Sequence, residues 1–178
     1  MNIIVIENAF EEWFAEFYRN YLFSLPHTYS EYSVSEDNPA EKYDIAHLVH
    51  EFDRTNWMNQ ELLFKIKNKF NELFGQSLLN QLECARFHTN MHFPGVGGKT
   101  YHHDGTDLTV VWCGTDHDGG AFCYIDEEGN EKIIGDKFNQ LILFSEPEMK
   151  HKAIPPTTNK KGPRITVAAK FLYLNNFK

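Results

Sequence analysis

The C-terminal half of the chain is a succession of short apolar segments separated by turns rich in Gly and Pro. Predicted strands cover residues 82–93, 108–113, 121–125, 132–134, 140–144 and 165–174. Turn signals lie between them, such as Pro94-Gly95, Gly119-Gly120 and the polar hairpin stretch at 126–130. Because no helical pattern separates these segments, the sequence predicts an antiparallel sandwich or barrel.

The first 80 residues have a different character. Residues 3–6 predict a short buried strand, and helices are predicted at about residues 10–23 and 59–74. Gly75 lies where a glycine commonly ends a helix, and residues 27–55 are polar with no predicted element. The apolar residues of the first helix recur at helical spacing and predict a core-facing stripe of Phe10, Trp13, Phe14, Phe17, Tyr18 and Tyr21.

Composition limits the class of protein. With 178 residues, 42% of them hydrophobic, the chain fits one folded domain with a substantial core. No apolar run is long enough to span a bilayer, and the start lacks the features of a signal peptide, so we expect no membrane insertion. Cys84, Cys113 and Cys123 form no CxxC motif, which favours reduced thiols and a cytoplasmic location.

The charge balance argues against broad nucleic-acid binding. The formal net charge is −8 and the sequence pI is about 5.5. One basic cluster opposes this sign and consists of Lys150, Lys152, Lys160, Lys161 and Arg164. A solvated loop is the favoured explanation for this cluster.

A His-x-Asp pair lies in the middle of the chain. In an extended segment, side chains alternate between faces, so His102 and Asp104 point the same way and His103 points the opposite way. His102 is the only one of the nine His residues followed two positions later by an acidic residue. The pair supplies two-thirds of a facial triad of two His and one carboxylate, the site that non-heme Fe(II) oxygenases prefer.

Further motifs accompany this pair in a fixed order. Along the C-terminal half they are Pro94-Gly95, His102-x-Asp104, Gly119-Gly120-x-Phe122, Leu141-x-Leu143-Phe144, His151 and Arg164. His151 follows Asp104 by 47 residues, and Arg164 follows His151 by 13. His-x-Asp alone is a weak signal, but the ordered set resembles the Fe(II)- and 2-oxoglutarate-dependent dioxygenases, especially the prolyl-4-hydroxylase-like branch, over residues 82–173.

This resemblance implies a fold. It is mainly β with flanking helices, and its core is a double-stranded β-helix (jelly roll, cupin-like) whose open end holds the iron. It implies one domain over residues 1–178. Residues 1–79 are then helical support and a substrate-side region, and residues 80–175 are the catalytic core.

The resemblance also assigns roles to individual residues. It implies that His102, Asp104 and His151 form the catalytic centre by binding one face of Fe(II). It implies that Arg164 anchors the distal carboxylate of 2-oxoglutarate through two parallel N–H bonds. Thr166, on the same strand face, could add a hydroxyl bond.

Two positions depart from the family pattern. Phe93 stands where many members have a Tyr before Pro-Gly, and Trp112 stands near the position where the family has a second, co-substrate-binding Tyr. The Trp112 indole N–H could bind the co-substrate instead, or the ring could serve packing alone. Residues His88, Asn90 and His92 alternate along the preceding strand, and they either line the same cavity or are ordinary polar residues.

The implied activity is hydroxylation of an unactivated C–H bond. The expected substrate is a prolyl residue in a peptide or protein, or a free amino acid, with no nucleic-acid or membrane partner. Fe(II), 2-oxoglutarate and O2 take part, ascorbate is a possible stimulant, and succinate and CO2 are co-products. The alternatives are a nucleic-acid demethylase of the same superfamily, a non-catalytic metal-binding jelly-roll domain, and a Zn protein built on the same triad.

Overall fold

The computed structural model of the protein describes residues 3–30, 47–75, 80–96, 100–145 and 148–174. Its elements in chain order are β1 (Ile3–Ile6), α1 (Glu12–Ser24), β2 (Thr28–Ser30), β3 (His47–Glu51), α2 (Trp57–Phe74), β4 (Leu82–His92), β5 (Leu108–Cys113), β6 (Ala121–Ile125), β7 (Glu131–Gly135), β8 (Gln140–Phe144), β9 (His151–Ile154) and β10 (Arg164–Tyr173). Neither of the described helices is long and apolar enough to cross a membrane.

Two antiparallel sheets form the framework. The larger has the strand order β1-β8-β5-β10-β4-β3-β2, and the smaller has the order β7-β6-β9. A backbone bridge between His102 and His151 adds one more pair at the β9 edge of the smaller sheet. This arrangement is the predicted jelly roll with flanking helices. The segment around His102, treated as extended in the sequence analysis, contributes one bridge to it.

The helices cover one face of the larger sheet. Tyr18 of α1 packs edge-on against Trp112 of β5, with ring centroids 5.9 Å apart, and Phe70 of α2 packs against Phe171 of β10 at 5.3 Å. All four side chains belong to the main apolar core. The opposite face of the same sheet is directed toward the smaller sheet, and the functional residues lie between the two.

The apolar stripe of α1 is narrower than predicted. Phe14, Tyr18 and Leu22 are buried, and they follow one another at four-residue spacing. Trp13 and Phe17 are 67% and 48% exposed, because each lies one position, about 100°, away from that stripe. The prediction that they face the core was wrong.

The predicted end of α2 is confirmed, since Gly75 follows Phe74 with a φ of +81°. The prediction from the sequence did not include β2, β3 and the short β9. Polar residues dominate β2 and β3, which pair with each other, and β3 also pairs with β4. Three strands of the larger sheet, β1, β2 and β3, therefore precede residue 80, in the region predicted to be helical support.

Candidate metal centre and its cavity

The three residues proposed as metal ligands meet between the two sheets. One potential ligand atom from each of His102, Asp104 and His151 lies within 4.8 Å of the other two. Nε2 of His102 is 3.9 Å from Asp104 Oδ1, and Nε2 of His151 is 3.6 Å from Asp104 Oδ2. These separations are too long for hydrogen bonds but suit atoms that share one ion.

Backbone pairing places the two His rings side by side. The N–H of His102 donates to the His151 carbonyl at 2.9 Å, and the N–H of His151 donates back at 2.8 Å. The ring centroids are consequently 4.4 Å apart. His103, between His102 and Asp104, does not line the cavity, as strand alternation predicts.

His151 is held as a neutral ring with its lone pair directed at the cluster. Its Nδ1 is 3.0 Å from the Met149 carbonyl, which can only accept, so Nδ1 carries the proton and Nε2 is free to bind a metal. Burial lowers the pKa of His151, and this effect outweighs the opposing effect of Asp104. Phe122 and Phe144 pack against the ring and exclude water from its faces.

Asp104 is a buried, charged carboxylate. Its Oδ1 accepts a 2.6 Å bond from Lys170 Nζ, and its Oδ2 accepts a 2.8 Å bond from Thr109 Oγ1. Burial alone would raise the pKa of Asp104, but His151 when it is protonated, and the Lys170 ammonium, hold it well below its usual range. Each oxygen has two lone-pair positions, so one per oxygen is left for a metal.

The donor set fits the metal that the resemblance implies. Two imidazole nitrogens and one carboxylate converge from one side, with the cavity on the other side, and this is the arrangement typical of non-heme Fe(II). Zn(II) also accepts these donor types. The bonds from Met149, Thr109 and Lys170 are the outer contacts that orient the ligand groups.

Strands β4 and β10 form the floor of the adjoining cavity. Residues His88, Asn90 and His92 of β4 line it, in agreement with the first of the two interpretations of their alternation. Arg164 and Thr166 of β10 also line it, directly opposite His92 and Asn90 in the strand register. The cavity thus extends from the three proposed metal ligands to Arg164, the proposed co-substrate anchor.

Arg164 is buried and already paired. Its Nε donates to Asp136 Oδ2 at 2.5 Å and its Nη2 donates to Asp136 Oδ1 at 3.0 Å, with a longer 3.4 Å bond from Nη2 to the Ala121 carbonyl. Burial would lower the pKa of Arg164, but Asp136 raises it above its usual value, so the guanidinium stays charged. The Nε–Nη2 edge is therefore occupied by a protein carboxylate, which the sequence did not indicate.

Of the two alternatives for Trp112, the structure supports packing, because the ring does not line the cavity. It is fully buried in the helix-side core and donates its indole N–H to Asn139 Oδ1 at 3.2 Å. Strand alternation explains the position, because Thr109 and Val111 of the same strand face the cavity and Trp112 faces the other way.

Lys170 and Asp136 are functional candidates that the sequence did not single out. Lys170 lies six residues after Arg164, hence on the same face of β10. A charged residue at this even spacing in an otherwise apolar strand was the sequence signal that could have identified it. Asp136 follows β7 and had no comparable signal.

Three of the five residues of the basic cluster lie beside carboxylates of the protein. Lys152 lies 3.4 Å from Glu131, Lys161 lies 3.0 Å from Asp116, and Arg164 is buried against Asp136. Lys161 fits the solvated-loop interpretation, but Arg164 is buried and Lys152 lines the cavity from β9, so that interpretation does not hold for these two residues.

No protein-family model matches the chain, and no curated protein matches it. Among solved structures, it is similar to a Pseudomonas putida prolyl-4-hydroxylase, with a TM-score of 0.69 and 14% identity over 96% of this chain and 92% of the other. It is also similar to a Trichoplax adhaerens prolyl hydroxylase in complex with a hypoxia-inducible factor peptide (TM-score 0.73, 14% identity, coverage 97% and 84%). A third is the non-heme alpha-ketoglutarate-dependent epimerase SnoN from nogalamycin biosynthesis (0.70, 12%, 96% and 78%). At these identities, the comparisons show a shared fold.

Proposed function

We propose that the protein is an Fe(II)- and 2-oxoglutarate-dependent oxygenase. The observation that carries this proposal is the common cavity of the His102, Asp104 and His151 cluster and the buried cation Arg164. A group of three potential metal ligands alone would fit many kinds of protein. A buried guanidinium in the same cavity adds a site for an anionic co-substrate. The shared fold with a prolyl-4-hydroxylase and an alpha-ketoglutarate-dependent epimerase supports the same conclusion.

Five residues of the cavity have a defined task in this proposal. When bound, Fe(II) would supply the activation of O2 that couples decarboxylation of 2-oxoglutarate to oxidation of a C–H bond, giving succinate and CO2. His102, Asp104 and His151 hold the metal on one side. Arg164 offers its remaining N–H groups to the distal carboxylate of the co-substrate, and the Thr166 hydroxyl lies on the same wall.

The substrate that we propose is a prolyl residue of a peptide or protein, or a free amino acid. The cavity wall that β4 forms beside the β10 residues is polar, because His88, Asn90 and His92 all face the cavity. Such a wall favours a substrate with hydrogen-bonding groups close to the reacting carbon, and both classes have amide or amino and carboxyl groups there. Two of the similar structures are prolyl hydroxylases, one of them bound to a peptide.

We propose further that residues 1–178 form one domain, since β1, β2 and β3 complete the sheet that contains β4 and β10. Three free, buried thiols, Cys84, Cys113 and Cys123, suit a reducing compartment such as the cytosol, which also preserves Fe(II).

The reaction can be tested by mass spectrometry. Protein loaded anaerobically with Fe(II) is given 2-oxoglutarate, ascorbate, air and pools of Pro-containing peptides or free amino acids. We expect one substrate to gain one oxygen atom while an equal amount of succinate appears. Neither product should form with Zn(II) in place of Fe(II). Formation of succinate without an oxidised substrate would support 2-oxoglutarate as the co-substrate and would show that the tested pools do not contain the substrate. Absence of both products would favour a non-catalytic metal-binding domain.

A further inference from the structure

The cation proposed to anchor the co-substrate has a competing partner in the protein. Asp136 takes the Nε–Nη2 edge of the Arg164 guanidinium, and the two side chains are only 0% and 2% exposed. The Ala121 carbonyl also accepts from Nη2. Among the described residues, no hydrogen bond of Arg164 uses Nη1, so Nη1 is the group with donors left for a ligand in the cavity.

The local backbone is shaped to admit this pair. A Cβ atom at Gly120 would lie 2.6 Å from Asp136 Oδ2, a distance at which one of the two groups must move. The Asp136 N–H donates to the Gly120 carbonyl at 3.0 Å, which fixes the start of that side chain. The absence of a side chain at Gly120 therefore lets Asp136 reach Arg164.

A ligand carboxylate at Nη1 would have to share one positive charge with Asp136. The two carboxylates would lie on neighbouring edges of the same guanidinium, in a site where burial removes most of the screening by water. Their repulsion offsets part of the attraction to Arg164. The anchor then orients an anion well but holds it less tightly than an unpaired Arg would.

We propose, on the basis of the proposed function, that Asp136 is a positioning residue that holds Arg164 side-on and weakens the binding of 2-oxoglutarate by competing for its charge. Occupancy of the site would then depend on the concentration of 2-oxoglutarate, because the affinity is set below what the buried cation could provide.

The direct test is Asp136→Asn, which keeps the shape of the side chain and one acceptor but removes the charge. Binding to protein loaded with redox-inert Ni(II) is measured by calorimetry for 2-oxoglutarate and for 2-oxopentanoate, which has a methyl group in place of the distal carboxylate. We expect the Kd of 2-oxoglutarate to fall about fivefold or more, a coupling typical of interacting sites. The Kd of 2-oxopentanoate should not change. Asp116→Asn, at an exposed partner of Lys161, should change neither value.

A second variant covers the case in which Asp136→Asn does not fold. Gly120→Ala keeps every charge but pushes the Asp136 carboxylate away from Arg164, so 2-oxoglutarate should again bind more tightly, by a smaller factor. Unchanged or weaker binding of 2-oxoglutarate in folded, metal-binding variants would overturn the inference, as would equal tightening of both ligands. If the wild-type protein bound 2-oxoglutarate no better than 2-oxopentanoate, the proposed function itself would lose its anchor.

Discussion

Lys170 Nζ lies 2.6 Å from Asp104 Oδ1, and their side chains are 8% and 4% exposed. A cation so close to a proposed metal ligand has two consequences. In the absence of a metal, Lys170 compensates the negative charge of Asp104. When a metal is bound, Lys170 fixes the direction of the Asp104 carboxylate. The proposed metal centre is thus preformed by an ion pair that joins β10 to the segment after His102.

Removing this cation should destabilise the metal-free protein more than the metal-bound protein. Lys170→Met leaves Asp104 buried without a counter-ion, and breaking such a pair costs about 3–5 kcal/mol. A bound divalent metal would restore the compensation. Chemical unfolding with and without Ni(II) measures the difference, and Lys161→Met, at the exposed pair with Asp116, is the control. Equal losses in both states would show that Lys170 serves packing alone.

Strand alternation near the centre can be tested with neighbouring His residues. His102→Ala should lose stoichiometric metal, because it removes one of three ligands. His103→Ala should retain it, because this side chain does not line the cavity. Metal content after anaerobic loading and dialysis checks both variants. Loss of metal from His103→Ala to the same degree would mean that the orientation of this segment is wrong by one residue.

The metal-free protein should lose stability in mild acid through His151. Burial lowers the pKa of this ring, so its folded-state pKa is below the unfolded value of about 6.5. The unfolded chain then takes up the proton first, and the His151 contribution, fully present above about pH 6.5, is lost as the pH falls below it. Urea unfolding at about pH 7.5 and about pH 5.5 should show a smaller loss in His151→Gln than in the wild type. An identical loss in both would assign the pH dependence to other groups.

Two Leu residues on α2 test the core. Leu62 is fully buried, so Leu62→Ala should reduce the free energy of unfolding by about 2–5 kcal/mol. Leu73 is 43% exposed near the end of the helix, and Leu73→Ala should cost much less, about 0.5 kcal/mol. Denaturant unfolding of the two variants, which remove the same atoms, gives the comparison. Similar losses would contradict the helix orientation described here.

The elements that the sequence predicted well are those whose pattern is local. The strands β5, β6 and β8 are short apolar runs bounded by turns, and their observed limits agree with the prediction. Strands β3 and β9 were missed because polar residues interrupt them and their stability comes from pairing with β4 and β6.

The site could be predicted where sequence motifs carry it. His102 and Asp104 are two residues apart, and His151 follows in the order that the resemblance requires. The ion pairs could not be predicted, because Lys170 is 66 residues from Asp104 and Arg164 is 28 residues from Asp136. Such partners are selected by tertiary packing, which no local spacing reveals.

The most direct test of the central claim is 2-oxoglutarate turnover by the wild type, Arg164→Ala and Arg164→Lys at constant Fe(II). We predict Fe(II)-dependent formation of succinate by the wild type. Arg164→Ala should bind iron as before, since no metal ligand is removed. Its binding of 2-oxoglutarate should be weaker by about 2–5 kcal/mol, and Arg164→Lys should recover only part of this loss. An unchanged affinity for 2-oxoglutarate in Arg164→Ala would place the anchor elsewhere. A wild-type protein that binds Fe(II) but forms no succinate would contradict the assignment as a 2-oxoglutarate-dependent oxygenase.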